Sequence, residues 1–181
     1  METQRKIKPL LFIFLILGVF LMHPVSGVEI QTLVNVLQTN TSPFSYPLDV
    51  KIYKGKTANE GVILCCHGYG SDSSIASIIA SYKPVPEHLV GFNFPDYSIH
   101  YRRIPADQVA YGTVKELLPV IYLLKKIVVD GQTERESLYG FSAGGAAVVN
   151  VIALLNTASE NTDLNSIVVT REDVQKILAA L

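Results

Sequence analysis

Residues 136–155 read ESLYGFSAGGAAVVNVIALL, and this stretch decides the fold. A short strand-like run is followed by G-F-S-A-G and then by an apolar, alanine-rich run that is typical of a buried helix. G-x-S-x-G between a strand and a helix predicts a sharp turn with Ser142 at its tip in a strained backbone conformation. Gly140 and Gly144 are needed there because larger residues would collide. The free N–H groups of the new helix, with that of Ala143 first, would suit an oxyanion beside the serine.

A second motif lies about 75 residues upstream. Residues 61–66 form a continuous apolar run of the kind that a buried parallel strand shows. The run ends in His67-Gly68-Tyr69-Gly70, and the polar residues 71–74 that follow are typical of a helix start. The two motifs therefore predict that residues 61–66 and 136–139 are strands of one parallel sheet.

Together the two motifs resemble the α/β-hydrolase family, over residues 48–155. The resemblance implies that Ser142 is the nucleophile and that the backbone amide of Ala143 is one oxyanion donor. It implies that the amide of Tyr69 is the second donor, since the family supplies this group from a His-Gly strand exit. The imidazole of His67 would then be a structural part of the loop rather than the catalytic base.

The family places its acid and then its histidine after the serine in chain order. Residues 143–181 contain no histidine, and the four histidines of the chain, at 23, 67, 88 and 100, all lie upstream. We therefore expect an incomplete α/β-hydrolase-type fold, a mostly parallel sheet with flanking helices that corresponds to the N-terminal portion of such an enzyme. Among the histidines, only His100, at the carboxyl end of its strand, is considered as a base that could be recruited.

Residues 1–27 have the order of a secretory signal. A basic start is followed by 13 apolar residues, by Pro24, and by small residues that offer cleavage after Gly27. The apolar core is shorter than the roughly 18–20 residues of a comfortable membrane span. We predict an exported protein, secreted or periplasmic, with residues 28–181 as a truncated hydrolase domain. The alternative is an uncleaved N-terminal membrane anchor.

Composition excludes several other classes of function. The net charge of −1 becomes −3 when residues 1–27, which carry +2, are removed, and no basic stripe is present to bind nucleic acid. The short basic run His100-Tyr101-Arg102-Arg103 is interpreted as a solvated loop, or as a contact for an anionic substrate. Adjacent Cys65 and Cys66 are interpreted as small core residues rather than a metal or redox site. No motif implies a cofactor or a metal.

The rest of the chain alternates strands with helices, which predicts a parallel sheet. We predict strands at 61–66, 89–94 and 136–139, with 48–54 as an antiparallel neighbour. Helices are predicted at 73–82, at 107–129 with a kink or split at Pro119, and at 171–181 with Thr170 and Asp173 as its capping pair. Residues 28–39 fit either a helix or a strand, and residues 156–165 are predicted to be a polar loop.

Two functions remain open at this point. The first is an exported serine hydrolase of the esterase, lipase or peptidase kind that cleaves a small ester or amide through Ser142. The second is a catalytically inactive hydrolase fragment or membrane-anchored binding module, because a serine without a base is a poor nucleophile. We expect the chain acting alone to be inactive. We also expect an open sheet edge that favours self-association or a partner chain.

Overall fold

The computed structural model describes residues 28–38, 43, 44, 46, 48–56, 61–82, 85–94, 114–161 and 169–181. The predicted signal segment 1–27, the basic run 100–103 with His100, and residues 107–113 of the predicted long helix lie outside these described residues. The helices and strands, in chain order, are α1 Ile30–Leu37, β1 Val50–Tyr53, β2 Val62–Cys66, α2 Ile75–Tyr82, β3 His88–Phe92, α3 Val114–Lys125, a π-helical turn Lys126–Asp130, β4 Glu136–Gly140, α4 Ala143–Asn161 and α5 Arg171–Ala180.

The four described strands form one sheet in the order β1-β3-β2-β4. β2 is parallel to both β3 and β4, whereas β1 is antiparallel to β3 with Val50 opposite Phe92. This confirms the predicted mixed α/β fold, with a mostly parallel, open sheet and flanking helices. In the described sheet β4 is an edge strand, so its outer side has no paired strand among the described residues.

Successive side chains of a strand point to opposite faces of the sheet, and helices pack on both faces. In β2, Val62, Leu64 and Cys66 point into the larger core, which also contains buried residues of α1, α3, α4 and α5. Cys65 lies on the opposite face and packs with Ile75 and Ala76 of α2. Both cysteines are free and fully buried, as expected for small core residues.

Several predicted boundaries are corrected. α4 continues to Asn161, six residues past the predicted end, so residues 156–161 are helical and not a loop. The side chains of Asn156 and Thr157 turn back to carbonyls one turn earlier, at 2.8 and 3.0 Å, which lets polar residues extend the helix. The strand predicted at 89–94 is β3, which starts and ends earlier, at His88 and Phe92.

Of the kink or split of the long helix predicted at Pro119, the split is wrong. α3 runs through Pro119 without a break because the residues on either side of it, Leu117, Val120 and Ile121, are buried in the core. The irregularity falls later, where the helix widens into a π-helical turn before it ends at Gly131. Within the undecided segment 28–39, Ile30–Leu37 form α1, in which Leu33 is fully buried. The capping pair at the start of α5 is present in both directions.

Candidate active site around Ser142

Ser142 lies at the turn between β4 and α4, exposed to solvent. Its φ is 53°, so this serine has a left-handed backbone, which a non-glycine residue rarely adopts. The N–H of Phe141 donates to the carbonyl of Cys66 at 3.1 Å, which holds the turn against the exit of β2. The N–H of Gly145 then donates to the carbonyl of Ser142 at 2.9 Å and starts the helix. The predicted strand–serine–helix turn is therefore present, with the predicted positive φ.

Gly140 and Gly144 permit close backbone approaches at this turn. A Cβ at Gly140 would lie 2.5 Å from the carbonyl oxygen of Gly144, and a Cβ at Gly144 would lie 2.1 Å from the carbonyl oxygen of Cys66. Neither position has room for a side chain, because the nearest atoms belong to the backbone. The start of α4 is consequently packed directly on the end of β2.

The loop at residues 67–70 lies beside this turn. A Cβ at Gly68 would lie 3.2 Å from both the Cβ of Ser142 and the carbonyl oxygen of Phe141. The N–H of Ser71 donates to the carbonyl of Gly68 at 3.2 Å, and Gly70 has a φ of 70°, so the chain reverses direction here. The structure thus brings the two sequence motifs together.

His67 is fully buried between the exits of β2 and β3. Its Nδ1–H donates to the carbonyl of Gly68 at 2.7 Å, and its Nε2 accepts the N–H of Phe94 at 3.1 Å. This pair of bonds fixes the neutral tautomer with the proton on Nδ1. Burial lowers the pKa of His67, which keeps the ring neutral. Its hydrogen bonds make His67 part of the loop framework.

His88 is engaged in the same way at the other end of β3. Its Nδ1 accepts the N–H of Gly55 at 2.9 Å, and its Nε2–H donates to the carbonyl of Val28 at 3.3 Å. Burial lowers the pKa of His88 too. Because His88 begins a strand that runs parallel to β4, it lies at the edge of the sheet opposite to Ser142. Neither described histidine is placed to take a proton from the serine.

The two cysteines provide no reactive thiol. Burial raises the pKa of the Cys65 thiol to about 12 and raises the pKa of Cys66 as well, so both thiols are protonated and inert.

Within the described ranges, no cluster of three or more His, Cys, Asp or Glu residues is arranged to hold a metal ion. None of the helices in that part of the chain is long and apolar enough to cross a membrane.

One feature of the site was missed in the sequence. Asn93, directly after β3, is buried and connects Ser73 at the start of α2 with Asp49 at the start of β1. The available signal was an amide residue between two phenylalanines in the apolar run 89–94, where a buried polar group requires partners.

Comparisons with known proteins give a distant result. No family model and no curated protein matches this chain. The crystal structure of an alpha/beta hydrolase enzyme from a Medee basin deep-sea metagenome library is similar to it, with a TM-score of 0.41 and 15% sequence identity. The similarity covers 61% of this chain and 38% of that enzyme's chain. The structure itself establishes a mixed α/β fold, with a four-stranded, mostly parallel sheet and flanking helices.

Proposed function

We propose that Ser142 is the nucleophile of a serine-hydrolase-type site for small esters or amides, in which neither described histidine serves as the base. The observation that supports this most is the positive φ of Ser142 at a strand-to-helix turn, with the 67–70 loop packed against it. Backbone strain of this kind is retained where the surrounding structure enforces it, and it projects the Oγ away from the sheet. No other described serine has a positive φ.

In the proposed reaction, the Oγ of Ser142 attacks the acyl carbonyl carbon and the carbonyl oxygen becomes an oxyanion. The amides of Ala143 and Tyr69 donate hydrogen bonds to that oxyanion, and the alcohol or amine leaves with a proton from the protonated base as the carbonyl re-forms. Water then attacks the acyl-serine, which releases the carboxylic acid and restores the hydroxyl of Ser142. A base must accept the serine proton in the first step. Since His67 and His88 are both engaged in structural hydrogen bonds, the described histidines do not supply that base.

This geometry leads to a specific expectation for turnover. Residues 28–181 should hydrolyse short-chain p-nitrophenyl esters no faster than the Ser142→Ala variant. A serine-dependent rate that His100→Ala abolishes would identify His100 as a base, whereas a rate that survives this change would indicate a base from another source. The alternative function, a hydrolase-like binding module without catalysis, is favoured by the engagement of both described histidines.

Covalent labelling tests the nucleophile without requiring turnover. At about pH 9 an alkyl fluorophosphonate should react with Ser142: the Oγ–P bond forms, the P–F bond breaks, fluoride leaves, and hydroxide accepts the serine proton. Peptide mapping should find the adduct on Ser142 and not on Ser137 or Ser81, which are also exposed and serve as internal controls. Labelling spread evenly over these serines would contradict the proposal.

We also propose that the protein is exported, on the basis of the basic, apolar and small-residue order of residues 1–27. The cleaved form would begin at Val28, which is buried and whose carbonyl accepts the His88 hydrogen bond. A new N-terminus at this position is compatible with the fold, because the bond uses the carbonyl of Val28 rather than its N–H.

A further inference from the structure

We infer that Asn93, held by Asp49, is a positioning residue that fixes the loop carrying the second oxyanion donor. This inference rests on the proposed function, since it concerns the Tyr69 amide of that same site. The loop between His67 and Ser73 is anchored at its two ends by two consecutive residues, Asn93 and Phe94, which come directly after β3. Both anchors therefore move as one unit with the end of a buried strand.

The first anchor is the hydrogen bond from the N–H of Phe94 to the Nε2 of His67, at 3.1 Å. The second is the hydrogen bond from the N–H of Ser73 to the Oδ1 of Asn93, at 2.8 Å. Ser73 and Asn93 are both buried, so loss of the hydrogen bond between them would leave buried polar groups without a water molecule to replace it. Between the anchors, the loop is closed by its own turn from Ser71 to Gly68.

Asp49 decides which way the amide of Asn93 points. Its Oδ2 accepts the Nδ2–H of Asn93 at 3.1 Å and the hydroxyl of Ser73 at 3.3 Å. A carboxylate accepts hydrogen bonds and does not donate them, so the amide nitrogen must face Asp49 and the amide oxygen must face Ser73. Asp49 directly precedes Val50 and Asn93 directly follows Phe92. Because Val50 lies opposite Phe92 in the antiparallel pair, Asp49 and Asn93 lie side by side.

The approach of the helix start to β3 makes this arrangement sterically tight. A Cβ at Gly91 would lie 2.1 Å from the carbonyl oxygen of Ser73, so the backbone of Ser73 rests directly on the strand. On its other side, the loop contacts the turn of Ser142 through Gly68. A displacement of the Ser73 anchor is therefore transmitted to the position of the Tyr69 amide relative to Ser142, where misplacement weakens oxyanion binding.

The test compares four forms of residues 28–181. Asn93→Asp places two carboxylates together and removes the donor to Asp49, and the double variant Asp49→Asn, Asn93→Asp restores a donor–acceptor pair with the roles exchanged. Ser73→Ala is the matched control, because it removes the hydroxyl bond to Asp49 but keeps the backbone N–H that anchors the loop. Asp49→Ala, at a partly buried residue, is the additional variant in case Asn93→Asp does not fold.

Amide hydrogen exchange gives the first readout. Exchange at residues 68–72 should become about tenfold faster in Asn93→Asp and at least about threefold faster in Asp49→Ala, while amides in β2 remain protected. Ser73→Ala should stay within about twofold of the unmodified chain, and the double variant should recover most of the protection. Loop exchange that is unchanged, or that rises only in step with exchange in β2, would overturn the inference.

The rate of Ser142 phosphonylation at about pH 9 gives the second readout. It should fall about tenfold or more in Asn93→Asp and recover in the double variant, since a displaced donor no longer stabilises the developing oxyanion. A wild-type chain that is not labelled at Ser142 would refute the proposed function, and the exchange data would still decide the role of Asn93. Loop exchange that changes as expected without any loss of labelling rate would refute the link between this anchor and the oxyanion donor.

Discussion

Gly144 and Gly145 are neighbours in the first turn of α4, yet the structure predicts opposite effects when each is replaced by alanine. At Gly144 the new Cβ would lie 2.1 Å from the Cys66 carbonyl oxygen and 2.6 Å from the His67 carbonyl oxygen. Because both oxygens belong to the backbone, these clashes are relieved only if the start of α4 moves away from β2. At Gly145 the nearest atom is the Gly140 carbonyl oxygen at 3.5 Å, an ordinary van der Waals contact.

The magnitudes follow from these contacts. Overpacking against backbone on this scale should make Gly144→Ala destabilising by about 3 kcal/mol or more. Gly145→Ala should stabilise the protein by about 0.5–1 kcal/mol, since alanine restricts the unfolded chain and favours the helix. For a chain of this size, these changes in the free energy of unfolding correspond to a fall in Tm of roughly 10 °C for Gly144→Ala and a rise of about 2–3 °C for Gly145→Ala.

Urea or thermal unfolding, followed by circular dichroism, measures both variants against the unmodified chain. The two substitutions add the same methyl group one residue apart, so helix propensity alone predicts the same effect for both. Equal changes in stability, or a Gly144→Ala variant as stable as the parent, would show that α4 does not begin in direct contact with the exit of β2. The geometry proposed for Ser142 would then be wrong as well.

Four further predictions follow from single features. Ser142→Gly should be more stable than Ser142→Ala by about 1 kcal/mol, because both lack the hydroxyl but only glycine accepts a φ of 53° without strain; equal unfolding midpoints would argue against the strain. Glu136 is buried, and burial raises its pKa well above the usual range. Neutral Glu136 contributes its full stability below the unfolded carboxyl pKa of about 4.3, and this contribution is lost as pH rises toward the folded pKa. The free energy of unfolding of Glu136→Gln, relative to the unmodified chain, should therefore increase over that pH range. A difference that stays constant with pH would contradict this prediction. Thr170→Ala should cost about 1 kcal/mol in urea unfolding, since the hydroxyl accepts the Asp173 N–H at 3.2 Å, and an unchanged midpoint would show that the cap is not formed in solution. Mass spectrometry of the exported protein should find Val28 at the N-terminus, whereas an intact Met1 in the membrane fraction would favour an anchor.

Short-range sequence patterns predicted the turn at Ser142 and the cap of α5. At Ser142, a strand, two glycines and a serine specify the local backbone, because a Cβ at Gly140 would collide with the carbonyl of Gly144, four residues later. At Thr170 and Asp173, the two hydrogen bonds join residues three apart, so the capping box is also visible in the sequence. Such features depend little on the rest of the fold.

The missed features depend on contacts between distant parts of the chain. The length of α4 was underestimated because Asn156 and Thr157 are typical loop residues that here bond back to their own helix. The structural role of His88 requires Gly55 and Val28, which are 33 and 60 residues away. The role of Asn93 requires the register between β1 and β3, which the sequence does not specify.

The most direct measurement of the central claim is a crystal structure of residues 28–181 after reaction with an alkyl fluorophosphonate. The phosphoryl oxygen of the adduct occupies the place of the oxyanion in acyl transfer. The account predicts an adduct on the Oγ of Ser142, with this oxygen about 2.7–3.1 Å from the amide nitrogens of both Ala143 and Tyr69. An adduct whose phosphoryl oxygen points to solvent, or contacts neither amide, would contradict the claim that these residues form an oxyanion hole.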